Sequence, residues 1–285
     1  LNTKTKSKLI LVEGLPGFGK STTARLIYDI LNEQNIEAEV FLEGDLNHPA
    51  DFEGVAFLTN SELNQLFHLH VEQSEMIKRN MQEYESGYLI PYQKLQSKLG
   101  LELPNELLAY LMKKDIYELP LEQNQFLIVK RWKEFAEKAQ NSNKVTIFEC
   151  CFMQNPITVG MIKYNANKEN VIEYIKSLEN AIRKLDPVLL YVNQDNLEFS
   201  FHKAIKERSK EWLEGFVNYY SNQAFGNENN YAGLEGTLNI LKARKELELN
   251  ILNELSIKKE IVNNSNYDLK SYKLSLIEYI QSNIL

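Results

Sequence analysis

Cysteine is almost missing from this 285-residue sequence: there are two, Cys150 and Cys151, and they are adjacent. Adjacent cysteines build no disulfide framework and have no metal-ligand spacing, so the pair reads as buried, reduced thiols at a strand end. Long apolar runs are missing as well. Nothing approaches the ~20 consecutive apolar residues of a membrane span. Lys4, Lys6 and Lys8 precede only a short apolar stretch, so no signal peptide is expected and the protein reads as cytoplasmic. There is no basic run either, and the net charge is −7, which argues against a nucleic-acid or membrane-surface partner. No internal repeat or low-complexity linker divides the chain. With 44% hydrophobic and 25% charged residues, it is long enough for one large α/β domain or a domain with a sizeable insertion.

Glycine is sparse, at 12 residues, yet three glycines fall within one stretch. Gly14, Leu15, Pro16, Gly17, Phe18, Gly19, Lys20 and Ser21 fit the phosphate-binding pattern G-x-x-x-x-G-K-[ST] at every fixed position. Residues 8–12 form an apolar, β-branched run that reads as a buried strand. After Ser21, the positions of Ala24, Leu26, Ile27, Ile30 and Leu31 have a helical period. A strand, a glycine loop and a helix in that order suit phosphate chemistry. Glycines let backbone N–H groups converge on phosphate oxygens, and the helix N-terminus adds partial positive charge. Residues 14–21 together with Thr22 are therefore expected to hold ATP, with Lys20 on its β- and γ-phosphates and the Ser21 hydroxyl on Mg²⁺.

Four more strands follow from the pattern. Residues 37–42 read as the second strand, and a loop containing Gly44, Asp45, His48 and Pro49 comes after it. In an open α/β sheet such a loop faces the ligand crevice, which makes Asp45 a candidate general base or acceptor ligand, against the alternative of a turn aspartate. His48, before proline, reads as structural. Residues 61–140 read as a helical insertion: one helix running from 61 toward 84, an apolar loop or extended piece at 89–92, and further helices ending with 121–140. Residues 144–148 form the third strand, closed by Glu149. A carboxylate at the end of a buried strand needs a partner, and Mg²⁺ is the expected one. Residues 187–192 and 257–262 are the fourth and fifth strands. Between them, Lys203, Lys206 and Arg208 make a local basic cluster, and the polar, glycine-containing residues 218–236 read as a mobile loop.

Five strands alternating with helices and opening at this motif resemble the P-loop kinase group of nucleotide, nucleoside and small-molecule kinases. The resemblance implies a three-layer sandwich around a five-stranded parallel sheet, with the third strand beside the first. It implies a lid after the fourth strand, about 195–236, that brings Arg208 to the transferring phosphoryl, and an adenine border at 263–268. Gly44, Asp45, His48 and Pro49 are similar to the segment after the second strand in gluconate kinases. Glu149 is similar to the strand-end acid of thymidylate and deoxynucleoside kinases, although Cys150 stands where those commonly place arginine. The reading is a single kinase-like domain over 1–285 that moves the γ-phosphate of ATP to a small hydroxyl or phosphate acceptor, with a homodimer allowed. The competing readings are an ATPase or nucleotide switch that moves a protein partner, and a degenerate scaffold. The guanine-specifying Asn-Lys-x-Asp of GTPases is absent, and Lys20 and Ser21 are intact.

Overall fold

The computed structural model describes residues 6–100 and 102–284. In chain order they form β1 (Leu9–Glu13), α1 (Lys20–Glu33), β2 (Ala38–Phe41), β3 (Ala56–Thr59), α2 (Asn60–Leu69), α3 (Val71–Asn80), β4 (Gln82–Tyr84), β5 (Gly87–Ile90), α4 (Tyr92–Leu99), α5 (Asn105–Lys113) and α6 (Leu121–Gln140). Next come β6 (Val145–Glu149), α7 (Gln154–Ile157), a π-helical turn (Thr158–Lys163), α8 (Lys168–Ile182), β7 (Val188–Asn193), α9 (Leu197–Glu207) and α10 (Lys210–Asn222). The last elements are α11 (Ala224–Glu228), α12 (Gly233–Glu254), β8 (Lys258–Asn263) and α13 (Leu269–Asn283). They divide into two compact units. One takes in the chain up to Glu43 and again from Trp132; the other is Gly44–Arg131.

The first unit is built on a five-stranded, all-parallel sheet in the order β2-β6-β1-β7-β8. The expected third strand, β6, does lie beside the first, with Leu11 opposite Phe148 on one side and Leu189 on the other. The central strands are continuous apolar runs because both faces are covered: Leu9 to Val12 and Val188 to Val192 are fully buried. The β8 edge instead exposes Lys258, Lys259 and Glu260, charges that discourage pairing with another chain. Helix α1 buries Ala24, Ile27, Ile30 and Leu31 and packs against α13, while α8 packs against α12. Trp132 and Phe135 of α6 close on Phe148 of β6, with ring centroids 5.6 and 4.7 Å apart. A parallel sheet brings all its carboxyl ends to one edge. Glu149 ends β6 there, and Gly14, Glu43, Gln194 and Asn264 follow the other four strands.

Residues 218–236 are not the expected loop: α10, α11 and the first turn of α12 occupy most of them. Their asparagines satisfy the helix ends locally, as when Asn227 Nδ2 donates to Asn222 O at 2.8 Å and Asn229 Nδ2 to Phe225 O at 2.9 Å. An apolar ladder of Trp212, Phe216 and Tyr220 anchors α10 at four-residue spacing.

The second unit differs from the expected helical insertion in both boundaries and content. It holds a three-stranded antiparallel sheet, β3-β5-β4. The helix expected over 61–84 breaks at His70 and stops at Asn80, two residues before β4 begins at Gln82. Thr59 and Glu62 form a capping box that starts α2. Leu58, Leu63, Leu66, Ile77, Ile90 and Leu107 join the strands and helices in one buried cluster. Among the described residues no helix is long and apolar enough to cross a membrane.

Candidate functional site

The site grows from the turn between β1 and α1. Gly14 has φ +143°, and a Cβ there would sit 2.5 Å from the Val192 carbonyl oxygen; Gly17 has φ +84° and would press 2.9 Å from Ala204 Cβ. Both positions therefore require glycine. The loop is held from outside by its own carbonyls: Phe18 O accepts from Asn264 Nδ2 at 3.0 Å and from Gln194 Nε2 at 3.4 Å. Leu15 and Phe18 are buried in the core and fix the loop rather than line a surface. Pro16, Gly17, Gly19, Lys20, Ser21 and Thr22 line an open cavity of about 790 Å³. Such a volume suits a small ligand, and backbone N–H groups at a helix N-terminus can hold an anion.

Lys20 is buried, and its Nζ donates to the Leu15 carbonyl at 3.1 Å. Burial works against its charge, but the Glu43 and Glu149 carboxylates around it help hold its pKa above the ordinary lysine value. Ser21 Oγ donates to Glu149 Oε1 at 3.0 Å. The Glu43 amide donates to Glu149 Oε2, also at 3.0 Å, so both oxygens of this buried carboxylate are engaged. Ser21 and Glu149, both expected from the sequence to hold Mg²⁺, are thus hydrogen-bonded to each other. Ligand atoms of Glu43, Glu149 and Cys150 lie within 4.8 Å of one another. Burial drives the Cys150 thiol well above its usual pKa, and it donates to Glu149 Oε1 at 3.0 Å as a neutral S–H. Among the oxygens there, the Glu149 carboxylate and the Ser21 hydroxyl fit a hard cation such as Mg²⁺.

Asp45 belongs to the second unit. Its Oδ1 accepts from the Asn47 amide at 2.8 Å and its carbonyl accepts from His48 N at 2.9 Å, a local turn of the kind aspartate favours. His48 is buried there. Burial lowers its pKa to about 4 against Asp51 and Asp45, so the ring is neutral at pH 7. Glu43, two residues before Asp45, lines the cavity.

Of the basic cluster, Arg208 reaches the cavity from the junction of α9 and α10, its guanidinium 5.4 Å from the Trp212 ring. Lys203 turns away to pair with Glu207 and lies over the Tyr267 ring.

Several participants went unrecognised in the sequence. Arg25 on α1 lines the cavity beside Thr22, and Gln154 lines it opposite, with Nε2 donating to Glu43 Oε1 at 2.7 Å. Glu13, the last residue of β1, is 1% exposed and accepts from the amides of Phe152 and Gln154 at 2.7 and 3.0 Å. Burial pushes its pKa up to about 7 against those hydrogen bonds. Behind the cavity, fully buried Arg244 donates to Glu248 Oε1 and Tyr220 Oη, each at 2.7 Å, and to Thr158 Oγ1 at 3.3 Å. Two signals existed. An acid closing a buried strand was the argument for Glu149 and applies equally to Glu13. Arg244 and Glu248 fall on the same stripe of α12 as Leu241 and Ile251, an unusual place for charge.

The chain matches no protein-family model, and no curated protein matches it either.

Proposed function

We propose that the first unit is a P-loop, three-layer nucleotide-binding fold and that the protein is an ATP-dependent phosphotransferase acting on a small-molecule acceptor. The observation that carries this is the meeting of Lys20, Ser21 and Glu149 beside a glycine loop, at one end of a cavity large enough for a second ligand. Residues 14–22 hold the ATP phosphates through backbone N–H groups, and Lys20 neutralises charge as the γ-phosphoryl moves. Ser21 and Glu149 would hold Mg²⁺, which when bound offsets phosphate charge. Glu43 faces the cavity as the base that takes the acceptor proton, and Asp45 remains a second candidate on its position after β2. Arg208 supports the transferring phosphoryl.

The test is to titrate a fluorescent ATP analogue with Mg²⁺ into wild type and Lys20→Ala. Loss of a charge-assisted contact should cost about 1.5–3 kcal/mol, and equal affinities would end the nucleotide assignment. An acceptor screen scored by ADP release and by mass spectrometry of the product then separates a kinase from a nucleotide switch, which releases ADP without a phosphorylated acceptor.

A further inference from the structure

The cavity beside the glycine loop has walls of unlike chemistry. Helix α1 and the end of β6 bring charge to it through Lys20, Arg25 and Glu149. Helix α10 brings rings: Trp212, Phe216, Tyr219 and Tyr220 line the same space. Trp212, Phe216 and Tyr219 are only half-buried, so they keep open surface at the cavity they line. The ladder from Trp212 to Tyr220 runs two helical turns, about 12 Å at 1.5 Å per residue. Phe201 of α9, itself buried, backs Phe216 with ring centroids 5.6 Å apart. That packing accounts for the inner side of the ladder and not for its cavity side. Partly exposed aromatics gathered along a cleft mark a surface that a ligand covers.

The stacking of the rings narrows the ligand. Phe216 has Trp212 at 5.0 Å and Tyr220 at 4.3 Å, one turn to either side and nearly parallel at 22° and 23°. Arg208, one turn before Trp212, lies over that ring at 5.4 Å. Ring faces are thus spent within the column, and ring edges are left for the cavity. Aromatic edges carry the positive end of the quadrupole and attract the negative face of another ring. An ammonium group needs ring faces and finds edges. Position then decides which molecule brings the ring. Tyr220 Oη and Thr158 Oγ1 both accept from Arg244 Nη1, at 2.7 and 3.3 Å, so the ladder ends against the turn that follows α7. That turn comes after β6, the strand that carries Glu149 to Ser21 and lies across β1 from β7 and β8. A γ-phosphate held by Lys20 and by a metal on Ser21 and Glu149 is on this side, and so is the molecule that receives it.

We infer that this molecule, the phosphoryl acceptor, is an alcohol carrying a planar aromatic or heteroaromatic ring, and that Trp212, Phe216 and Tyr219 hold that ring. The inference rests on the phosphotransferase reading. The α10 wall binds and orients, and the transfer stays with the groups at the loop. A neutral polyol offers no π face to the edges, and a quaternary ammonium alcohol meets charge of its own sign.

The experiment gives wild type ATP and Mg²⁺ with three sets of alcohols. The first holds nucleosides and benzyl alcohol. The second holds their ring-saturated analogues, such as 5,6-dihydrouridine for uridine and cyclohexylmethanol for benzyl alcohol. The third holds glycerol, sorbitol, glucose and choline. Products are identified by mass, and binding of the fluorescent ATP analogue is measured in parallel. The expected result is phosphorylation in the first set, with a productive ring substrate exceeding its saturated analogue about tenfold or more in kcat/KM. That ratio should fall in Trp212→Leu and in Tyr219→Leu, with affinity for the ATP analogue retained. The wild-type ratio tests the inference even if neither variant folds, since a ratio near one overturns it. An unchanged ratio in both folded variants makes the wall structural and overturns it as well. Loss of affinity for the ATP analogue in both variants places the nucleotide's own base on the wall, with the same consequence. Phosphorylation of the third set as fast as the first, or no product in any set from a protein that binds the analogue, overturns the inference while the nucleotide reading stands. Failure of wild type to bind the analogue removes the reading beneath.

Discussion

Glu13→Gln isolates a buried proton next to the glycine loop. The carboxyl is 1% exposed, and its pKa rises from an ordinary 4.5 to about 7, chiefly through burial. A carboxyl with a raised folded pKa binds its proton more tightly in the folded than in the unfolded chain. Its stabilising contribution is full below about 4.5 and is lost as pH rises toward 7. Each pH unit across that gap is worth 1.36 kcal/mol, so the whole span comes to roughly 3 kcal/mol. Glutamine keeps the shape but not the titration. It also sets an NH₂ group against the Phe152 and Gln154 amides that both donate to Glu13. That mismatch costs about 1–3 kcal/mol at any pH. The assay is urea denaturation of wild type and Glu13→Gln at pH 5 and pH 8, followed by tryptophan fluorescence. Both tryptophans, Trp132 and Trp212, lie in the first unit, so the signal reports its unfolding. Taking the difference between the proteins cancels every other titrating group they share. The variant should be clearly less stable at pH 5 and should recover most of that deficit, or overtake wild type, at pH 8. A difference that is the same at both pH values would refute the reasoning.

Glu149→Gln should abolish the Mg²⁺ dependence of nucleotide binding and lower turnover sharply. Stability without ligand should fall by about 1–3 kcal/mol, because the glutamine NH₂ meets the Ser21, Glu43 and Cys150 donors that all point at Glu149; a fall of that size with metal dependence unchanged would contradict the metal role. Arg208→Ala should reduce kcat at least tenfold with little change in ATP affinity, since a group serving the transition state acts there selectively. Hydrogen exchange over 203–236, with and without a non-hydrolysable ATP analogue, checks whether this segment closes, and unchanged protection would count against a lid. Glu43→Gln should stop acceptor-dependent turnover while ATP binding survives. Asp45→Asn should have less than a threefold effect, and if the two results are reversed Asp45 is the base.

The three central strands were legible because a strand buried on both faces is a mainly apolar run, as residues 9–12, 145–148 and 188–192 are, whereas the edge strands β2 and β8 carry charged residues and rested on their place between helices. The loop was legible because conformations such as those at Gly14 and Gly17 tolerate no other residue, so the requirement is written in the chain itself. That Glu149 would stand beside the glycine loop was implied by the resemblance to the P-loop kinase group, which sets the third strand next to the first; the pattern of β6 alone does not choose its neighbour. The β3-β5-β4 sheet escaped because its strands have only three or four residues each, too short for a period to distinguish them from helix or loop. Glu43 and Asp45 stand two residues apart, closer than a sequence-based strand boundary can resolve, so packing had to decide which carboxylate lines the cavity. Arg244 and Glu248 share a stripe of α12 with Leu241 and Ile251, which signals burial but not the partners. Only the tertiary structure set Tyr220 and Thr158 against that stripe, because a helix face does not name what it packs against. Gln154 is the same lesson at the scale of one amide. Nothing local orients it, and the Glu43 carboxylate, 111 positions away in the chain, fixes which of its two ends is left without a partner.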